Sequence, residues 1–374
     1  MKILYIANIR LPTEKAHGLH IVKMCEAFSR NGEQVELVVP RRFNSMKEDP
    51  FEFYDVKPLF TIRRIFCLDL VRFGKVGFWI QSFSFTLFAM AHVLRHRQSV
   101  LYTRDPLVAY SFGFFSTNVV FEVHTKHLTP IMRGAFTRSR RIVFITHGLK
   151  NLYLNAYSIP KEKILVEPDA TDLSYFNVPL DKGAERRRLG IPEDVSVVGY
   201  VGGIVTMGAN KGVEEIIEAV SRTDARLLFC GVGNDGRETL ASLLKNHNMT
   251  HLSTVVEDIS QKRMAVYMRI ADVLVMNYPS AEHYALYMSP LKMFSYMASG
   301  VPIVSTDLPS VREVLTDESA FFVSPDDAHD LTRGLKEALA DRRQAGEKAH
   351  AAKERGQHFS WEGRAGRILA FISR

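Results

Sequence analysis

Short apolar runs, each followed by an amphipathic stretch, recur along the whole chain and break only once. In the first half the runs are KILYIA, VELVV, SVLYTR, NVVFEV and RIVFI, with helices such as HIVKMCEAFSRNG between them, that one stopping at Gly32. Strands that are apolar throughout, rather than alternating, belong to parallel sheets covered on both faces by helices. Around residues 177–194 the text turns polar and charged, VPLDKGAERRRLGIPEDV, and the pattern then restarts with SVVGYVG, RLLFCG, DVLVMN and PIVST. The expected fold class is therefore α/β, with two Rossmann-like doubly wound domains facing across a cleft. Their expected bounds are 1–176 and 195–356, joined by a linker over 177–194. The last stretch, 357–374, contains SWEGRAGRILAFI, whose apolar residues fall at helical spacing, and is expected to pack back towards the first domain.

Open α/β sheets bind ligands outside the carboxyl ends of their strands, so the chemistry is sought in those loops. After SVVGYV, Gly202 and Gly203 let the backbone approach a ligand closely, and Lys211 leads a helix whose start suits a diphosphate. The spacing is not that of a P-loop. Gly231, in GVGND, opens another helix. In SPLKMFSYMASGVPIV, Ser289 reads as an N-cap, Pro290 as the first helical residue and Gly300 as the left-handed stop. Lys292 then stands in the first turn with Leu291, where the helix dipole disfavours a cation unless an anion is bound. Three anion-suited helix starts in one half point to phosphate.

In the first half, Gly18 precedes a helix in NIRLPTEKAHGLH, beside His17. SVLYTR delivers Arg104 and Asp105, and NVVFEV delivers His124 and Thr125 towards the same edge. No Asp-x-Asp triplet occurs to hold a divalent metal against a diphosphate, so cationic side chains and helix dipoles are expected to do that work without metal or cofactor.

The net charge of +7 is uneven: residues 1–176 hold 24 Lys+Arg against 15 Asp+Glu, and residues 177–374 hold 24 against 26. The first half, at +9, is expected to meet something anionic, either a phospholipid surface or an acidic acceptor; with no nucleic-acid-binding motif in the text, nucleic acid is ranked last. From Val76 to Leu94, VGFWIQSFSFTLFAMAHVL carries no formal charge, with Arg72 and Lys75 before it and Arg95 and Arg97 after. Gln81, Ser82, Ser84, Thr86 and His92 weaken a spanning reading, and a strand follows at once. A core or surface helix ranks first, an interfacial membrane helix kept in play by the flanking bases and Trp79 second, and a span last. Three scattered cysteines, Cys25, Cys67 and Cys230, suit a reducing compartment, and the first strand is too short an apolar run for a signal-peptide core. The expected place is the cytoplasm, with peripheral attachment to the inner membrane face as an addition.

As a set, KAHGLH, TRDPL, the EVH strand end, ITHGLK, KILVEPDATDLSYF, GYVGG…KGVEEIIEA, GVGND, SPLKMFSYMASGVPIV and the terminal SW helix resemble a glycosyltransferase of the GT-B fold. The family is the large retaining one usually numbered four, glycosyl transferases group 1, and the resemblance covers nearly the whole chain. It implies a nucleoside-diphosphate sugar as donor and metal-free transfer to a lipid-linked or surface-polysaccharide acceptor, with configuration retained. By the same resemblance Gly18 sits against the donor diphosphate, His124 contacts the transferring sugar, Lys211 binds the phosphates and Val256 lies near the base. The chain departs from the family pattern at several points. Tyr287 and Ser295 stand where two glutamates are usual, Gly203 where an arginine often is, and Ala170 where a glycine is. Glu282, five residues before Tyr287, is a candidate replacement. The alternatives carried forward are an epimerase or phosphorylase on the same fold, and a non-catalytic nucleotide-sugar or membrane-binding scaffold.

Overall fold

The computed structural model describes residues 1–374 apart from Arg97, Met207, Gly208, Asn234, Asp235 and Asp258, and apart from the side chains of 205, 206, 209 and 210. It divides into two compact units, one of 1–169 with 361–374 and one of 170–360. The boundary thus falls earlier than the expected residue 176. The expected linker is not a bare connection: Lys182–Arg188 forms a helix capped by the Asp181 carboxylate, and Arg186 is buried and donates to Ile270 O.

The first unit holds strands β1 (Lys2–Ile6), β2 (Gln34–Pro40), β3 (Thr61–Ile65), β4 (Val100–Thr103), β5 (Val119–Val123), β6 (Arg141–Phe144) and β7 (Ile164–Val166). All are parallel, in the order β3-β2-β1-β4-β5-β6-β7. β1, β4 and β5 are buried throughout apart from Lys2, as their unbroken apolar text requires. β3 and β7 were not read from the sequence. β3, TIRRI, is an edge strand that turns its arginines to solvent, so no apolar run marks it. Helix Ala16–Arg30 begins before Gly18, not after it, and packs against the chain's last helix, Trp361–Ile372.

The second unit holds β8 (Val197–Val201), a two-residue ladder β9 (Val205–Thr206) and β10 (Ala209–Asn210), then β11 (Arg226–Cys230), β12 (Ser253–Val256), β13 (Val273–Met276), β14 (Ile303–Thr306) and β15 (Phe321–Val323). Six strands form a parallel sheet ordered β12-β11-β8-β13-β14-β15, with an apolar cluster on each face. In each unit the strand order reverses at one point, between β1 and β4 and between β8 and β13. Those are the places where open sheets leave a crevice for a ligand.

One glycine at the second switch point is dictated by geometry. Gly212 caps helix Val213–Ser221 with φ of 71°, and a Cβ there would overlap the Asn277 side-chain amide, which donates to the Gly212 carbonyl at 2.8 Å. Gly212→Ala is expected to cost about 1–3 kcal/mol through left-handed strain and loss of that bond, measurable as a lower midpoint in urea unfolding.

Candidate functional site

In the second unit, β8 is followed by Gly202, whose φ is 99°, and its amide donates to Cys230 O at 2.8 Å. Gly231 has φ of 71° and its amide donates to Val256 O at 2.9 Å, so the loops after β8, β11 and β12 are tied edge to edge. Gly203 is the anchor of the next turn: its carbonyl accepts from the Tyr200 hydroxyl at 3.1 Å and from Lys211 Nζ at 3.0 Å. The helix from the opening motif runs over Leu291–Ser299 and stops at left-handed Gly300. Its N-cap is Pro290, not Ser289, and no side chain caps it. The first-turn amides of Leu291 and Lys292 have no intrahelical acceptor. Tyr296 fastens this helix to the sheet, its hydroxyl accepting from Val201 N at 2.9 Å and donating to Val275 O at 3.3 Å.

Lys292 is the centre of this arrangement. Its Nζ is buried without a hydrogen-bond acceptor among the described residues, 3.7 Å from the Tyr200 ring centroid and 5.6 Å from that of Tyr278. Burial, and secondarily the charge of Lys211, hold its ammonium well below the ordinary lysine range. A buried cation satisfied only by an aromatic face is costly. An oxyanion delivered beside Gly202, where a Cβ would stand 3.9 Å from Nζ, would restore its partner.

The two positions lacking the usual glutamates are occupied otherwise. The Tyr287 hydroxyl donates to Glu282 Oε1 at 2.8 Å, so buried Tyr287 holds the exposed Glu282 carboxylate beside it. Ser295 Oγ is hydrogen-bonded to Thr171 Oγ1 at 2.9 Å, within the DATD stretch. Ala170, beside it, is buried.

The first unit builds a separate polar centre. Glu122 is fully buried, and its Oε1 meets Arg364 Nη2 and His124 Nε2, each at 2.7 Å, and His20 Nε2 at 3.3 Å. The Tyr102 hydroxyl donates to the other oxygen. Burial alone would raise the Glu122 carboxyl, but Arg364 and His20 outweigh it and hold it well below the carboxylate range. His20 also lies 3.1 Å from Asp169 Oδ1, and its ring is edge-on to Trp361. Burial, then Arg104, push His124 down to about 3 and His17 down to about 4. His124 is therefore a neutral imidazole at pH 7; donating from Nε2 to Glu122, it offers Nδ1 as an acceptor. His20, Glu122 and His124 bring ligand atoms close enough to hold a metal ion, but Arg364 already delivers a cation to the same carboxylate oxygen.

Other residues singled out in the sequence take plainer roles. The Asp105 carboxylate accepts from Leu107 N and Val108 N as the cap of helix Pro106–Phe112. Gly18 is buried, and a Cβ there would overlap the Tyr54 hydroxyl and the Thr13 methyl. The Thr125 carbonyl accepts from Tyr153. Arg104 has Nη1 buried and without a hydrogen-bond partner among the described residues. Arg72, Lys75, Trp79 and Arg95 are exposed, and Arg97 lies outside the described residues. Tyr200, Tyr296 and Arg364 were missed. Tyr200 precedes the glycine pair that signalled the loop, whereas nothing local in the last helix marks Arg364.

Two parallel doubly wound units with loops of this kind define the GT-B fold. Sucrose-phosphate synthase from Thermosynechococcus elongatus matches with a TM-score of 0.80 at 18% identity, covering 100% of this chain and 98% of that one. HepE from Anabaena, solved in complex with UDP and glucose, matches at 0.74 and 14% identity, covering 100% and 99%. Residues 181–359, nearly all of the second unit, match the family model described as glycosyl transferases group 1. D-inositol 3-phosphate glycosyltransferase of Stackebrandtia nassauensis is 24% identical over 245 residues, 62% of this chain and 53% of that protein. The chain spans about half the length of the curated relatives it matches.

Proposed function

We propose that the protein is a retaining, metal-independent glycosyltransferase that moves a sugar from a nucleoside diphosphate to a lipid-linked or surface-polysaccharide acceptor. The observation that carries this is Lys292, a buried ammonium lacking a hydrogen-bond acceptor, at a helix start beside Gly202 and Lys211. As the glycosidic bond breaks, negative charge grows on the departing diphosphate. Lys292, Lys211 and the amides of Leu291 and Lys292 then stabilise it electrostatically, the work a metal would otherwise do. A uridine nucleotide is the donor class favoured by the solved HepE complex. In this reading the first unit binds the acceptor and supplies His124, whose Nδ1 accepts from a sugar hydroxyl. Arg104, with Nη1 unpartnered, suits an anionic group on the acceptor side. Tyr287 and Glu282 together take the place of the first usual glutamate, while Ser295 gives the ribose no carboxylate.

The test is a panel of UDP-, GDP-, ADP- and dTDP-sugars, followed by thermal shift and by transfer or hydrolysis with EDTA present. One nucleotide class is expected to raise Tm and to release its diphosphate, with the product anomer retained by NMR. His124→Ala is expected to lower kcat by about 100-fold or more with the thermal shift preserved. Silence across the panel would sink the proposal, and conversion of one nucleotide sugar into another without acceptor would reassign the enzyme to the epimerase class.

A further inference from the structure

Helix Gly74–Val93 is built inside out. Its polar residues face the first unit's own sheet: Gln81 is fully buried and donates to Asn8 Oδ1 at 2.9 Å, Asn8 donates back to Ser82 Oγ at 2.9 Å, and buried His92 lies 3.2 Å from Glu36 Oε1. Phe85 and Val93 join them on the buried side, but most of the large apolar residues face outward, with Val76 at 70%, Leu87 at 64% and Phe83 at 56% exposure. A soluble surface helix shows the opposite arrangement.

The outward residues follow a helical stripe, Val76, Ile80, Phe83 and Leu87, widened by Trp79, whose ring is 5.8 Å from that of Phe83. Phe66 extends it from the segment after β3, its ring 5.1 Å from that of exposed Phe88, and the Leu68 amide holds to Ser84 Oγ at 2.9 Å. Contiguous exposed aromatic and aliphatic side chains mark an interaction site. The helix is long and apolar enough to cross a bilayer. Crossing would strip Gln81 and Ser82 of Asn8, in the loop after β1, and His92 of Glu36 in β2, so the helix is fixed to its own unit.

We infer that this face docks on an anionic lipid surface, the helix lying in the plane of the interface with its apolar stripe among the acyl chains. Charge complementarity selects that partner. Exposed Arg72 and Lys75 stand at one end of the stripe and exposed Arg95 at the other, with no acidic residue between them. A helix rolled onto its apolar side sets bases at both ends to the height of lipid phosphates, and Trp79 belongs at that same boundary. This goes beyond the transfer reaction and stands on the first unit alone.

The chain's two tryptophans make the test specific, because Trp361 is buried while Trp79 lies on the stripe. The whole chain is mixed with vesicles of phosphatidylcholine alone or with about one third phosphatidylglycerol. Trp79 emission is expected to shift to the blue, and the protein to float, only with the anionic vesicles and less so in high salt. Phe83→Ser with Leu87→Ser, on exposed positions, is expected to reduce vesicle partitioning at least tenfold while leaving Tm and the nucleotide-induced shift unchanged. Arg72→Glu with Arg95→Glu is expected to abolish the preference for anionic lipid. No partitioning, equal partitioning to both vesicles, or indifference to these substitutions would overturn the inference. A concentration-dependent dimer in light scattering that the serine pair dissolves would also overturn it, giving the face to a second copy of the chain.

Discussion

Lys292→Ala is expected to remove nucleoside-diphosphate binding while making the ligand-free protein no less stable, an unusual pairing for a buried residue. Truncating one member of a buried, hydrogen-bonded charge pair costs about 2–5 kcal/mol of binding, so Kd for the diphosphate should rise by about 30-fold to several thousand-fold. In the free protein the same amine has no anion among the described residues, only the Tyr200 and Tyr278 rings, and its deletion removes an unsatisfied buried polar group. Titration calorimetry and thermal unfolding of the two proteins side by side would decide it; a large loss of ligand-free stability would contradict the account. The titration has a sign as well. With the folded Lys292 held below the unfolded value of about 10.4, the unfolded chain binds more protons between those two values, so ligand-free stability contributed by this group rises with pH through that window. A bound diphosphate restores the charged form. Binding near or above the folded value should therefore take up protons, visible as a heat that depends on the buffer's ionisation enthalpy.

Arg364→Met is expected to destabilise the first unit by about 3–5 kcal/mol, the usual cost of leaving a buried charge without its partner. Glu122 is fully buried, and Arg364 is the strongest influence that keeps it ionised. Arg364 also donates to the carbonyls of Pro168 at 2.7 Å and Glu167 at 3.2 Å, which would be orphaned together. Denaturant unfolding would show the loss. Adding Glu122→Gln to the Arg364→Met chain should recover part of it, because the amide needs no counter-charge; a double variant as unstable as the sum of the singles would refute the coupling.

Legibility in the sequence followed burial. β1, β4, β5, β8, β11 and β13 were readable because each lies inside a covered parallel sheet, and covering both faces leaves no polar residue to interrupt the run. β3, β7 and β15 were missed, the first as an arginine-bearing edge and the other two as three-residue strands. The glycine turn at Gly202 and Gly203 and the lysines Lys211 and Lys292 stood out in the text because glycine and lysine beside helix starts carry a local physical meaning. The cap at Ser289 was misplaced by one residue, and a cap depends on backbone angles that text does not carry. Least legible was the network around His124. Its members come from residues 20, 102, 122, 169 and 364, and only the folded sheet brings them together. The inverted helix shows the limit from the other side: its uncharged run and polar interruptions were plain, but which of the two sets faced the sheet was not.

The place of Arg364 in that network also sets a clock. The first unit is completed by residues 361–374, after the entire second unit has been synthesised. At about 5–20 residues per second, roughly 10–40 s separate residue 169 from residue 361 on the ribosome. Throughout that interval Glu122, His20 and Asp169 have been made but their arginine has not. The nascent first sheet must wait with a carboxylate it cannot comfortably bury, while the second unit, continuous in sequence, is free to fold first.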